Sequence, residues 1–464
     1  METKNKAKTA LKRSMTAGQV EMISLGGAIG VGLFMGSTST IKWTGPSVIL
    51  SYAFVGLLLY IVMRALGEML YVNPGTGSFA DYATEYVHPL AGYLAMWANV
   101  FEYIVVGMSE VVAATEYLRF WWPKAPTWIA GVVIIFLLVL ANIVSAKAYG
   151  ALEFWFAMIK VVTIIVMILL GLGLIFFGLG NSGHPIGLSN LWDHPGKSGN
   201  GFFTGGWQGF LFSMSVVAGS YEGIELLGIS AGEVANPKQA VVKSVKSVLM
   251  RILIFYVGAI FVIVTIYPWN KLSGLGSPFV TTFAKVGITA AASIINFVVL
   301  TAALSGANSG IYSSSRMLFK LATENNAPKI FSHISKRIVP NYAIYGITSG
   351  ILLGFSLDTL VAKSAGDMFV VVFSSSVLPG MIPWFVILWA ELRFRRNNPA
   401  LLKDHPFKLP LYPFSNYFAM AMLILIVVCM FFNPDTRISV IVGAAVLLIT
   451  VIVYLFRYGL KTNK

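Results

Sequence analysis

The sequence predicts an all-α polytopic membrane protein with twelve transmembrane helices, and three observations predict it. The first is composition: 57% of the 464 residues are hydrophobic, 11% are charged and the mean hydropathy is +0.77, more apolar sequence than one soluble core can bury. The second is segmentation into apolar runs of about 20 residues, the length that crosses a bilayer as a helix. The third is where the charge sits. Lys and Arg gather at alternate ends of the runs, at Lys4 to Arg13, Lys238 to Arg251, Arg316 to Arg337, Arg393 to Lys408 and Arg457 to Lys464. The opposite loops hold only scattered cations such as Lys42, Lys124, Lys197, Lys271 and Arg437. This positive-inside pattern places both termini in the cytoplasm.

The twelve runs are 17–39, 46–66, 91–119, 127–145, 153–178, 206–228, 244–267, 277–304, 342–357, 367–391, 412–432 and 437–457. No small-residue cleavage site follows a short apolar stretch near the basic start, so the first run reads as a retained helix. Polar connections are short except 179–205 and 320–341. One membrane domain over 17–457, between tails 1–16 and 458–464, is expected. If runs one and six correspond, runs one to five (about 17–178) and six to ten (about 206–391) form two repeats. An odd number of helices per repeat forces opposite membrane orientation, and runs eleven and twelve (about 412–457) are additions. The long third and eighth runs should tilt.

Two runs are interrupted by glycine near their middles, at Gly26, Gly27, Gly30 and Gly32 and again at Gly219 and Gly223, about 190 residues on. A helix broken at mid-membrane frees backbone groups that lipid cannot satisfy, so a break is tolerated where protein, water or a ligand supplies partners. Gly26 and Gly30 also spell a GxxxG packing face. The matched pair favours a midplane site between inverted repeats. Broken helix ends offer N–H groups to a carboxylate and carbonyls to an ammonium, the complement of a zwitterionic amino acid.

Glu102, Glu110, Lys160, Glu222 and Glu225 lie inside predicted runs. Each costs about 2.5–3.5 kcal/mol at a helix centre on insertion scales, so each should face the bundle interior or water. Glu110 and Glu225 are candidates for proton coupling or for structural hydrogen bonds between helices. Lys160, about 10 Å along its helix from Glu153 at 1.5 Å per residue, either snorkels to the interface or is a buried ammonium whose proton controls closure.

Other function classes lose ground on the same residues. The net charge of +14 follows the membrane pattern rather than a nucleic-acid face. Gly196-Lys197-Ser198 ends like a phosphate-binding loop, but Leu191 stands where that loop needs glycine, so no ATP site is expected and an ion gradient is the expected power source. The lone Cys429 forms no intramolecular disulfide, and His88, His184, His194, His333 and His405 lack metal-ligand spacing. No metal and no cofactor are expected. No nucleophile, base and orienter cluster suggests an enzyme.

The motifs Gly26 to Phe34, Met63-Arg64-Ala65-Leu66-Gly67-Glu68-Met69, Leu152 to Phe156, Gly223 to Ile229, Ala231-Gly232-Glu233, Asn236-Pro237 and Asn308 to Tyr312 together resemble the bacterial amino acid transporter family of the amino acid–polyamine–organocation superfamily. Phe101-Glu102, Met250 to Leu253, Ile266 to Asn270 and Pro434 to Ser439 are most similar to its proline-specific and histidine permease branch. The resemblance implies a LeuT-type fold of five plus five helices with two extra helices, and proton-coupled amino acid uptake at the plasma membrane.

Carried over by position, it implies that the N–H groups of Val31 and Gly32 hold the substrate carboxylate. Carbonyls of Ala28, Gly219 and Glu222 would hold the ammonium, with Ile29, Gly30, Glu102 and Tyr221 completing the pocket. Lys160 would bridge the first and eighth runs beside Ser305, Asn308 and Ser309, where sodium-driven relatives bind sodium. Glu222 departs from the family, in which that position is usually uncharged; with Glu102 it would favour a histidine or cationic side chain, or carry the proton. The expected partners are therefore an amino acid, a proton and the lipid bilayer. An amino acid/amine exchanger and a non-transporting amino acid sensor are the rivals, separable by flux and its dependence on internal substrate.

Overall fold

The computed structural model describes residues 29–73, 79–144, 146–225, 237–272, 289–361, 365–402, 405–406 and 408–459. The expected tail 1–16, the glycines before Ile29, Ala28 and the segment 226–236 after the second break lie outside them. The described residues form helices α1 (Val31–Phe34), α2 (Gly36–Thr44), α3 (Val48–Val72), α4 (Phe79–Tyr82), α5 (Pro89–Arg119), α6 (Thr127–Val144), α7 (Ala146–Phe177) and α8 (Gly206–Gly219). They continue with α9 (Pro237–Arg251), α10 (Ala259–Ile266), α11 (Thr289–Thr323), α12 (Asn341–Val361), α13 (Ala365–Asn397), α14 (Phe414–Phe432) and α15 (Arg437–Tyr458). No strand occurs among the described residues. Nine stretches among them are long and apolar enough to cross a membrane, which makes the chain a multi-pass membrane protein.

Burial separates centre from periphery. The apolar windows of α11 and α13 are 83% and 78% buried, against 28% for α6 and 17% for α15, so α6 and α15 offer most of their surface to lipid. Helix α5 is the hub. It packs most extensively on α11 and α13 and also meets α12. Its start is set locally: Pro89 occupies the first turn, where its missing N–H costs nothing, and the His88 side chain accepts the Leu90 N–H at 3.1 Å. Gly459, at φ 64°, ends α15 where other residues would be strained.

Helix α11 runs to Thr323, well past the hydropathy boundary at 304. Its added turns are polar in sequence yet packed inside, with Ser313, Ser314 and Ser315 fully buried. Ser314 Oγ donates to the Gly310 carbonyl four residues back, which lets a hydroxyl ride inside a helix bundle.

A buried ion cluster fastens one end of the bundle. Arg395 of α13 donates from Nε and Nη2 to the two oxygens of Glu68 on α3, at 2.7 and 2.6 Å, and pairs with Glu391 at 2.6 Å. The Leu409 N–H donates to the same Glu68 carboxylate at 2.8 Å. A buried pair held by this many hydrogen bonds fixes geometry more surely than it adds stability.

Candidate functional site

Both glycine breaks are visible where the chain is described. Ile29 and Gly30 are non-helical and α1 starts at Val31; α8 ends at Gly219, and residues 220–225 continue as turns. The glycines serve close approach more than unusual dihedrals. Gly30 is extended (φ −119°, ψ −162°), but a Cβ there would sit 2.3 Å from Glu110 Oε1. A Cβ on Gly32 would lie 2.7 Å from the Ser220 backbone, and one on Gly219 would lie 2.7 Å from the Phe373 ring. Among the described residues of the two breaks, only Gly223 has a left-handed backbone, at φ 103°.

The breaks meet across a small enclosed space. Gly30 and Gly32 line it from one side and Gly219, Ser220 and Glu222 from the other; Tyr103, Val106 and Glu110 of α5, Gly306 of α11 and Phe373 of α13 close it. Its volume of about 20 Å³ has room for about one water. Anything larger than a water fits only if these groups part.

Glu110 is buried (3% exposed) and its Oε1 accepts the Val31 N–H at 3.2 Å. Three further carboxyl groups gather nearby: Glu222 lines the same cavity, Glu225 is hydrogen-bonded to Tyr103, and Glu102 is in electrostatic contact with both. Glu225 accepts from Tyr103 Oη at 2.7 Å, from Trp384 Nε1 at 3.1 Å and from the Gly223 N–H at 3.1 Å. Glu222 accepts from Ser376 Oγ at 2.8 Å, and Glu102 from Asn99 Nδ2 at 3.3 Å. Glu102, Glu222 and Glu225 are within electrostatic reach of one another. Oε1 of Glu102 and Oε1 of Glu222 are buried without a hydrogen-bond partner. Gly380 of α13 touches both, since a Cβ there would lie 2.7 Å from Glu222 Oε1 and 3.2 Å from the Glu102 carboxyl carbon.

Lys160 is fully buried, which removes the snorkelling alternative. Its Nζ donates to the Ile29 carbonyl at 3.1 Å and to Ser305 Oγ at 2.8 Å, joining the first break to α11. Ser305 Oγ in turn donates to Glu153, seven residues before Lys160 and hence two turns away on the same face of α7. Asn308 and Ser309 do not reach Lys160. Asn308 Oδ1 accepts from Asn142 Nδ2 at 2.7 Å and Ser309 Oγ from Tyr149 Oη at 3.1 Å, and both lie beside Glu153. They extend the polar network rather than bind the ammonium.

Other expected site residues fall into place unevenly. Tyr221 points away from the cavity: its hydroxyl donates to the Tyr52 carbonyl at 2.9 Å and its ring packs 4.2 Å from Tyr256, so it anchors the second break. The Gly219 carbonyl accepts the Glu222 N–H at 3.1 Å and keeps its second lone pair. Ala28 lies outside the described residues. Sequence reasoning missed Tyr103, Ser220, Gly306, Phe373 and Glu153. Two of them carried a usable signal: Glu153, by its seven-residue spacing from Lys160, and Ser220, by its place beside Gly219 in the second break.

Comparison with known proteins decides the family. The amino acid permease family model matches residues 19–464. The chain belongs to the amino acid permease family. The permease is similar to a probable threonine/serine transporter, YbxG, of Bacillus subtilis (strain 168), at 53% identity over 458 residues, 98% of this chain and 97% of that one. It is similar to the uncharacterized amino acid permease YtnA of the same organism, at 44% over 460 residues (99% and 97% of the two chains), and to its amino-acid permease AapA, at 38% over 444 residues (96% and 94%). The permease is thus a transporter of amino acids rather than an enzyme.

Proposed function

We propose that this permease takes up a small α-amino acid across the plasma membrane in symport with protons, alternating access around the cavity between the two breaks. The observation that carries this reading is that both breaks line one cavity while a buried ammonium, that of Lys160, is tied to the Ile29 carbonyl of the first break. The N–H groups at Val31 and Gly32 suit a carboxylate, and the carbonyls of Ala28, Gly219 and Glu222 suit an ammonium. The fold in this reading is the LeuT-type five plus five with two added helices and cytoplasmic termini.

Lys160 takes the part of a bound cation. While charged it draws the first break toward Ser305 on α11; when its proton leaves, that tie weakens and the break is free to move. Glu153, linked through the Ser305 hydroxyl, is the neighbouring group able to receive or balance the charge.

The side chain of the substrate is read from Glu222 and Glu102, each with a buried acceptor oxygen lacking a donor. An acceptor favours a substrate that brings a hydroxyl or N–H, since an unpaired buried polar group costs about 1–3 kcal/mol. Threonine and serine, named for the relative at 53% identity, meet this need with a hydroxyl and histidine with its imidazole. Proline does not, so the proline-specific side of the resemblance is the weaker guide.

The test is uptake of labelled threonine by purified full-length protein in vesicles with an acidic exterior, competed by serine, proline, histidine and lysine. Accumulation that collapses with a protonophore, with serine the strongest competitor and histidine ahead of proline, is the expected result. Uptake that needs internal amino acid and ignores the protonophore would make the protein an exchanger. Binding without flux would make it a sensor.

A further inference from the structure

The carboxylate that occupies the first break belongs to the protein itself. Glu110 Oε1 takes the Val31 N–H at 3.2 Å, the donor assigned above to the substrate carboxylate. Its second oxygen, Oε2, is buried without a hydrogen-bond partner, and the residue lines the same cavity as Glu222 and Gly219. The position is fitted rather than incidental. Gly30 and Gly306 flank the carboxyl group so tightly that a Cβ on either would come within 2.3 Å of Oε1. A simple interhelical hydrogen bond would not require glycine on two separate elements around one oxygen.

Two carboxylates cannot share this donor. The space is enclosed, with room for about one water, and like charges in low dielectric repel strongly. We infer that Glu110 is an internal stand-in for the substrate carboxylate: it holds the Val31 N–H until an amino acid displaces it, and it takes up a proton as it is displaced. This inference rests on the substrate site proposed above. The balance is simple. One N–H···O hydrogen bond passes from Glu110 to the substrate carboxylate, one proton from solution joins a Glu110 oxygen, and the pair adds no net charge at that spot.

The sign of the pH effect follows. Lower pH favours protonated Glu110, which frees the Val31 N–H, so substrate affinity should strengthen as pH falls, by at most about tenfold per pH unit for one linked proton. Lys160 and Glu153 of α7, Glu222 of the second break, and Tyr103 and Tyr117 of α5 also face Glu110. The test must therefore isolate Glu110 from these groups.

Calorimetric titration of the full-length protein with L-threonine, in two buffers of different ionisation enthalpy, counts protons taken up on binding. Titrated at a pH high enough for Glu110 to be ionised in the free protein, the wild type should take up about one per threonine, and fewer as the pH is lowered. Glu110→Gln should take up measurably fewer, and its affinity should lose most of its pH dependence. Glu110→Asp, which keeps a titratable carboxyl, should retain proton uptake and serves if the glutamine variant does not fold. Wild-type binding without proton uptake would overturn the inference, as would equal uptake by wild type and Glu110→Gln. Gly219→Leu separates the underlying reading: if it binds threonine as tightly as wild type, the site between the breaks is wrong; if it abolishes binding while Glu110→Gln matches wild-type proton uptake, only the role of Glu110 fails.

Discussion

Lys160, Glu110 and Glu222 stand out because charge inside an apolar run is costly and rarely idle. What the sequence could not display is the geometry of sharing. Ser305 joins Lys160 to Glu153 by one hydroxyl, a relation invisible to hydropathy because serine is unremarkable in a helix. Ser305→Ala should leave two buried ionisable groups short of a partner and lower stability by about 1–3 kcal/mol, read as a fall in the thermal midpoint in detergent. An unchanged midpoint would show that Lys160 and Glu153 find other partners. Glu222→Gln addresses specificity. If Glu222 accepts a substrate hydroxyl, the variant should weaken threonine and serine by about 1.5–3 kcal/mol while changing alanine far less, measured by competition. If every substrate loses pH-driven accumulation together, Glu222 carries the proton instead. Tyr103 and Phe373 were not legible at all. Tyr103 and Phe373 carry no charge and no break signal, and only packing brings them to the cavity, whereas Ser220 sits beside Gly219 within the second break.

At the scale of elements, the glycine breaks were the most legible part of the site. Their places are where α1 begins and α8 ends. Their physical reason differed at Gly30, where contact with Glu110 matters and the backbone angle does not. Gly30→Leu and Gly219→Leu should insert normally yet abolish uptake, since each side chain would fill space between the breaks. Normal uptake by both in vesicles would contradict a site there. Hydropathy located most runs but stopped α11 too early, because its last turns are polar and still buried.

Outside the spans, Asp81 of α4 pairs with Lys320 of α11. Burial raises the Asp81 carboxyl above its ordinary range in spite of the Lys320 ammonium. A carboxyl raised in the folded state contributes stability below its unfolded value and loses it as pH rises through the folded value. Relative to wild type, Asp81→Asn should therefore gain in thermal midpoint as pH rises above about 4, the ordinary Asp value, until the folded carboxyl has lost its proton. A relative loss as pH rises would show that the ion pair outweighs burial.

At the scale of the whole molecule, a cavity with room for about one water cannot be a standing pocket for an amino acid. In the proposed account transport requires the breaks to move apart and close again, and Lys160, which touches both the first break and α11, couples that motion to a proton. The most direct test of this coupling compares wild type with Lys160→Ala in the same vesicles. Two quantities are read: accumulation of labelled threonine driven by a pH gradient, and exchange of labelled for unlabelled threonine without a gradient. The account predicts that Lys160→Ala loses gradient-driven accumulation while measurable exchange survives, because the substrate contacts are backbone groups of the breaks. Wild-type accumulation by Lys160→Ala would contradict it.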